Sequence, residues 1–234
     1  MRLPNPLDAF SPGVNLFQRH LNLCLSAGVV CFIVNGAVQV PGIVLDIAQG
    51  GNSPGIDKTL EIAANGAGDD QLWLLLTYVT IFLQGCTGGV LALGLSRIGL
   101  KLLDGQDADL EDIIPSFSEL PGAFVAATTV AVLSTLGLFL CCVPGIFLFG
   151  LFMYWPTIMV DQRVGSLTAL TRSASIAMKT PKEHGFAGAL LLVMWLAGYQ
   201  CCGLPVVFLA PMSAMIVARS YRNHVPKLPV ADPI

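Results

Sequence analysis

The sequence predicts an all-α, polytopic transmembrane helical bundle of about six spans with short interfacial helices, and three observations carry that prediction. Hydrophobic residues make up 54% of the chain and charged residues only 12%, with a mean hydropathy of +0.72, whereas about a quarter of a soluble domain is charged. Residues 21–45, 71–96, 122–160 and 185–218 contain no Asp, Glu, Lys, Arg or His, and each run exceeds the roughly 18 apolar residues of a spanning helix. The Lys and Arg residues, finally, fall almost entirely on one side of a six-helix path, as the positive-inside rule requires.

About twenty residues with Pro4, Pro6, Pro12 and Gly13 precede the first span, 21–47, in which Pro41 and Gly42 predict a kink. That run is too long for a signal h-region and lacks a small-residue cleavage site, so it is expected to stay in the mature protein. A loop over 48–70, with Asp57, Lys58, Glu61, Asp69 and Asp70, leads to the second span, 71–98. The run 122–160 would make a helix of about 58 Å, twice the ~30 Å hydrocarbon core, and must fold back. Pro144 and Gly145 sit near its middle; Pro cannot continue the hydrogen-bond ladder and Gly tolerates a turn, which predicts helices over 122–143 and 146–160. The same reasoning divides 185–218 at Gly203 and Pro205 into spans 185–202 and 204–219, both short for the bilayer.

An even number of spans puts both termini, the connections 99–121 and 161–184 and the tail 220–234 on the cytoplasmic side, with 48–70 outside. Every Lys and Arg except Lys58 is then cytoplasmic. The expected location is the cell (inner, cytoplasmic) membrane, and the expected partners are the lipid bilayer and other membrane proteins or further copies of the chain. A net charge of −3 and the lack of a basic cluster exclude a nucleic-acid stripe.

Both cytoplasmic connections carry apolar stripes at helical spacing. In the first, the acidic string DADLED is followed by Ile113, Ile114, Phe117 and Leu120; in the second, Leu167, Leu170, Ala174 and Met178 form one face. Each fits either a short helix on the membrane surface or a solvated linker helix packed on the bundle.

The stretch LGLFLCCVPGIFLFGLFMYWPTIMVDQRVG over 136–165, followed by LTALTRS over 167–173, resembles a family of uncharacterised bacterial multi-spanning proteins. That group includes the membrane domain fused to some glycerophosphodiester phosphodiesterases. The matching positions are Pro144, Gly145, Ile146, Val160, Asp161, Gly165, Leu167, Ala169, Leu170 and Ser173, and the IIPSFSEL string at 113–120 is similar to the family pattern at that place. The resemblance covers roughly residues 90–222 and implies architecture; the soluble phosphodiesterase barrel is absent, so it implies no hydrolase activity.

The sharpest local chemical feature is two vicinal cysteine pairs, Cys141/Cys142 and Cys201/Cys202, at the outer turns of the last two hairpins. They fit small apolar packing residues, a disulfide between hairpins on an oxidising face, or a soft-metal thiolate set for zinc or copper(I), although no CxxC spacing supports chelation. Cys24, Cys31 and Cys86 lie within spans and read as packing residues. His20, His184 and His224 all fall at cytoplasmic helix ends near Asp161, where a metal cluster and simple interfacial histidines are the alternatives; without HxxxH or HExxH spacing the second is expected. DADLED lacks the Gly of a calcium loop, its sixth position being Asp112. No cofactor or metal is expected.

The midplane polar residues are neutral: Asn35, Gln39, Gln84, Thr128, Thr129, Ser134 and, nearer one face, Gln200. An ion-coupled transporter would place an ionisable residue there despite a cost of at least ~2.5 kcal/mol. Gly85, Gly88 and Gly89 predict a close helix-packing face. Without a nucleophile and base pair, a P-loop or a dinucleotide motif, the expectation is a non-enzymatic scaffold, assembly or envelope-homeostasis factor. The alternative is a passive or weakly coupled conduit for a small solute or lipid-like molecule, which would show a cavity with a polar stripe, whereas a scaffold would show polar groups satisfied between neighbouring helices.

Overall fold

A computed structural model describes residues 5–48, 70–140, 142–200 and 205–225, and among these the chain is all helical. A 3-10 turn, Pro6–Ala9, precedes α1 (Phe10–Arg19), and α2 (Leu21–Ala48) and α3 (Asp70–Leu103) follow. A 3-10 turn at Leu110–Ile113 leads to α4 (Leu120–Leu140), α5 (Cys142–Phe152), α6 (Trp155–Gln162), α7 (Ser166–Ala177), α8 (Pro181–Gln200) and α9 (Val206–His224). One helix segment of the described residues, Leu21–Val40, is long and apolar enough to cross a membrane; Leu120–Ser134 is a shorter apolar stretch.

Long uncharged, apolar runs become helices, in which the buried backbone polar groups pair with one another. Helix α2 continues through Pro41 and Gly42, and α3, at 34 residues, is about 51 Å long. The expected loop at 48–70 falls almost wholly outside the described residues. The N-terminal segment that precedes the first span forms the further helix α1, despite Pro12 and Gly13. Pro12 sits in its first turn, where a missing N–H costs nothing. Gly13 lets α1 press on α9, since a Cβ there would lie 2.8 Å from the Cα of Ile216.

The hairpin at 122–160 departs from expectation twice. Helix α4 ends at Leu140 and α5 begins at Cys142, so Pro144 and Gly145 belong to the first turn of α5. Pro is tolerated at the start of a helix as readily as in a turn, and Gly145 has a packing role: a Cβ on Gly137 of α4 would meet the Gly145 Cα at 2.8 Å. The expected helix 146–160 is also two helices, because α5 ends at Phe152 and Pro156 opens α6 within its first two positions. Ser173 of α7 occupies the break. Its hydroxyl donates to the Leu151 carbonyl at 2.7 Å and accepts from the Tyr154 amide at 3.2 Å, satisfying two backbone groups that the interruption leaves open.

Helices α8 and α9 flank Gly203 as expected, and residues 201–204 lie outside the described ones. Glycine sets the closest contacts. Gly188 of α8 lies on Gly150 of α5, where a Cβ would be 2.6 Å from the Gly150 Cα. In α9, Pro211 has no N–H to give to Val207, four residues back. Gly28 of α2 covers the carbonyl thus released: a Cβ on Gly28 would stand 1.9 Å from the Val207 oxygen.

The connections 99–121 and 161–184, expected on the cytoplasmic side, fold differently from the stripes drawn for them. The 104–119 segment forms the 3-10 turn and a tight turn, with Ile113 buried and Ile114 and Phe117 exposed. Helix α7 forms, but its buried face is Ala169, Leu170, Ser173, Ile176 and Ala177, leaving Leu167 and Met178 exposed. Small residues carry that face, which a reading weighted to large apolar side chains overlooks.

Candidate functional site

Two features share the interior: a buried polar centre at one end of the bundle and an apolar cavity beside it. The polar centre gathers the ends of α3, α6 and α9, the start of α8 and the flank of α7. Arg222 of α9 lies 2.9 Å from Asp104 beyond α3 and 2.7 Å from Asp161 of α6. Burial works against its charge, but the Asp161 and Asp104 carboxylates outweigh that and raise its pKa. Tyr221 donates to Asp161 at 2.7 Å and accepts from the Gln162 amide at 2.9 Å, and Arg172 of α7 donates to the Gln162 carbonyl oxygen. Burial, with the neighbouring Asp161 carboxylate adding to it, pushes the Tyr221 phenol well above its ordinary range.

The hydrogen-bond pattern around Tyr154 assigns its protons. Nδ1 of His184 lies 2.9 Å from the Thr180 carbonyl and 3.0 Å from the Thr180 hydroxyl; the carbonyl can only accept, so a proton on Nδ1 serves both contacts and leaves Nε2 a lone pair in the neutral ring. The Tyr154 hydroxyl, 3.1 Å away, donates to it and accepts from Ser220 at 2.6 Å. His224 donates from Nδ1 to the Ser220 carbonyl at 2.8 Å, and its ring centroid is 5.2 Å from that of His184. Tyr154, His184 and Ser220 are almost completely buried, so this chain is an internal brace.

The cavity has a volume of about 310 Å³ and is walled by α2, α3, α4, α5, α6, α8 and α9. Leu91, Phe149, Phe152, Trp155, Leu191 and Val217 supply much of its surface, with Asn35, Ser96 and Ser213 as polar points. The hydroxyl of Ser96 lies 3.4 Å from that of Thr157, both buried. The expected glycine face of α3 divides here: Gly89 packs on Ala127, where a Cβ would clash at 2.3 Å, while Gly88 lines the cavity and a Cβ on it would meet nothing within 4 Å. Polar residues of the long helices bond along their own helix. Ser26, Thr87 and Thr129 donate to carbonyls four residues back, and Asn35 donates to the Cys31 carbonyl at 2.9 Å.

Of the singled-out residues, Asp161 joins the Arg222 network and Ser173 the helix break, while Gly165 caps α7 with an ordinary φ and open space around it. Nothing in the structure explains a glycine at 165. Cys141, Cys201 and Cys202, and the side chains of Cys142 and Pro144, lie outside the described residues; Cys24 and Cys31 are free and buried. His184 and His224 meet; His20 is exposed. Among the described residues no group of three His, Cys, Asp or Glu side chains could hold a metal ion. Sequence reading did not single out Tyr154, Ser220 or Tyr221; a tyrosine or serine at the charged end of an apolar run was the available signal. No family model matches the chain, and neither a curated protein nor a solved structure is similar to it.

Proposed function

We propose that this chain is a multi-span protein of the cell's inner membrane that holds an apolar, lipid-like molecule among its helices and works by binding, without catalysis. The observation that carries this reading is the cavity: at about 310 Å³ it falls within the ~300–1,000 Å³ of small-molecule sites, and its wall is mostly hydrocarbon. A polar solute would find few open partners there, because, of the polar lining residues, Asn35 and Ser213 bond within their own helices and Ser96 is engaged by Thr157. A lipid chain needs none.

Three features support the membrane part of the proposal. Within the 18-residue apolar window of Leu21–Val40 only 22% of the residues are buried inside the protein, opposite to the core helix of a soluble domain. Large apolar side chains stand on the outer faces of several helices, among them Ile33, Val132, Val193 and Phe208, each more than half exposed. The ion pairs of the described residues, Arg222 with Asp104 and Asp161, Lys101 with Asp112 and Arg97 with Glu119, join the ends of α3, α6 and α9 to the start of α4. That convergence on one side favours six crossings with α5 and α6 sharing one, and the Lys and Arg residues at that side favour the cytoplasm for it and for both termini. On this reading the likeness to bacterial multi-spanning proteins is one of architecture.

The test is extraction and mass spectrometry of lipids retained by the full chain purified in mild detergent, beside Ala92→Phe and Ala214→Phe, which fill the cavity. A stoichiometric lipid in the native chain that both variants lose supports the proposal. Equal retention by all three, or none by the native chain, overturns it. A scaffold keeps the exposed outer faces as its support, and would give equal retention together with co-purification of a membrane protein.

A further inference from the structure

The segment between α3 and α4 is held too firmly, and displays too much hydrocarbon, for a solvated linker. Its backbone lies directly on α3 at Gly94, where a Cβ would stand 2.0 Å from the Ile113 carbonyl oxygen. Arg97 donates to the Ile114 carbonyl at 3.3 Å and pairs with Glu119 at 2.6 Å. Lys101 pairs with Asp112 at 2.6 Å, and the Asp112 carboxylate caps the turn by accepting from the Asp109 amide at 2.9 Å. Ile113 and Pro115 point inward, so the residues between and after them are turned out: Ile114 is 72% and Phe117 92% exposed. An aromatic ring presented in this way by a clamped turn has no partner among the described residues.

We infer that Ile114 and Phe117 form a wedge that enters the boundary between headgroups and acyl chains of the bilayer and sets the depth of the α3–α4 hairpin. The height of the segment argues for this partner. Gly94 lies three residues before Arg97, about 4.5 Å along the helix toward its apolar part, which puts the turn in the zone where interfacial elements sit, ~5–10 Å into that boundary. Phe117 is also three residues from the start of α4, the next apolar helix. Charge selects the lipid class. Asp107, Asp109 and Glu111 are exposed on the same segment and repel an anionic surface, so the wedge takes zwitterionic lipid.

The inference rests on the membrane reading, and one experiment separates the two. The full chain carries a thiol-reactive, polarity-sensitive dye at Phe117→Cys, with Ile33→Cys on the outer face of α2 and Asp107→Cys as references. The unsubstituted chain measures background labelling, and the host is phosphatidylcholine nanodiscs. Phe117 is almost fully exposed, so its substitution does not threaten folding. The wedge requires a blue-shifted dye at 117, quenched by lipids brominated near the headgroup and shielded from aqueous iodide, while the dye at 107 is quenched by iodide. Quenching at 33 by deep-brominated lipid with iodide quenching at 117 overturns the wedge and leaves the membrane reading standing. Absence of lipid quenching at both positions overturns both. Shielding at 117 from lipid and iodide alike means that a second copy covers the turn, and overturns the wedge.

Discussion

The polar end of the bundle and the apolar cavity beside it are built from the same helices and held by opposite means. At the polar end, directional contacts from five helices converge: Arg222 spans two carboxylates, Tyr154 links His184 to Ser220, and Ser173 closes a break in another helix. Around the cavity the helices keep apart, and a glycine at 88 leaves room that a side chain would fill. The contrast teaches that looseness here is local. Hydrogen bonds and ion pairs fix the geometry at one end, and the void nearby survives because the helices that wall it cannot close.

Breaking the polar end should have the largest effect. Arg222→Ala leaves Asp104 and Asp161 facing each other partly buried, and is expected to cost about 3 kcal/mol, read as a lowered unfolding midpoint in denaturant for the full chain in micelles; an unchanged midpoint would mean that water already solvates the network. Ser173→Ala strips the partner from the Leu151 carbonyl and the Tyr154 amide, at about 1–3 kcal/mol. Because those groups flank Phe152 and Met153 of the cavity wall, the chain's lipid retention should fall with its stability, and loss of stability alone would uncouple the two regions.

The cavity side should respond with the opposite sign. Gly88→Ala adds a methyl where nothing lies within 4 Å and removes a helix glycine, so it should stabilise by about 0.5–1 kcal/mol in the same unfolding assay. Destabilisation would mean that α3 needs glycine there for another reason.

The smallest effect concerns the turn before α4. Burial acts to raise the Asp112 and Glu119 carboxyls, but Lys101 and Arg97 respectively outweigh it and hold both below the usual carboxylate range. Their stabilisation is complete above ordinary carboxylate pKa values and lost as pH falls through the lowered ones. Both pairs are partly exposed, so each is worth at most ~1 kcal/mol. The gap in unfolding midpoint between the native chain and Asp112→Asn should therefore close in acid, and a gap that persists there would assign the effect to the capped turn and not to charge.

What could be read in advance follows from the physics of each region. Uncharged runs longer than a bilayer have one backbone solution, so α2, α3, α4, α8 and α9 were legible. The break at Met153 and Tyr154 was not, because its one sequence mark, Pro156, is also tolerated inside an apolar helix, and the serine that stabilises it arrives from 19 residues away. Gly145 was noticed for a turn, yet it serves a neighbour, Gly137, that only the folded hairpin identifies. The Tyr154 brace joins residues 30 and 66 positions apart, beyond any local pattern, and the cavity is a property of seven helices together.

The interrupted α5–α6 rod carries a mechanical consequence. A continuous helix transmits a push along its axis and resists bending, whereas two short rods meeting at a joint pivot. The pin of this joint belongs to neither rod; it is a hydroxyl lent by α7, outside the proposed spans. Phe152 and Trp155, on either side of the joint, both face the cavity, so a force that draws α7 away withdraws the pin and lets the wall swing.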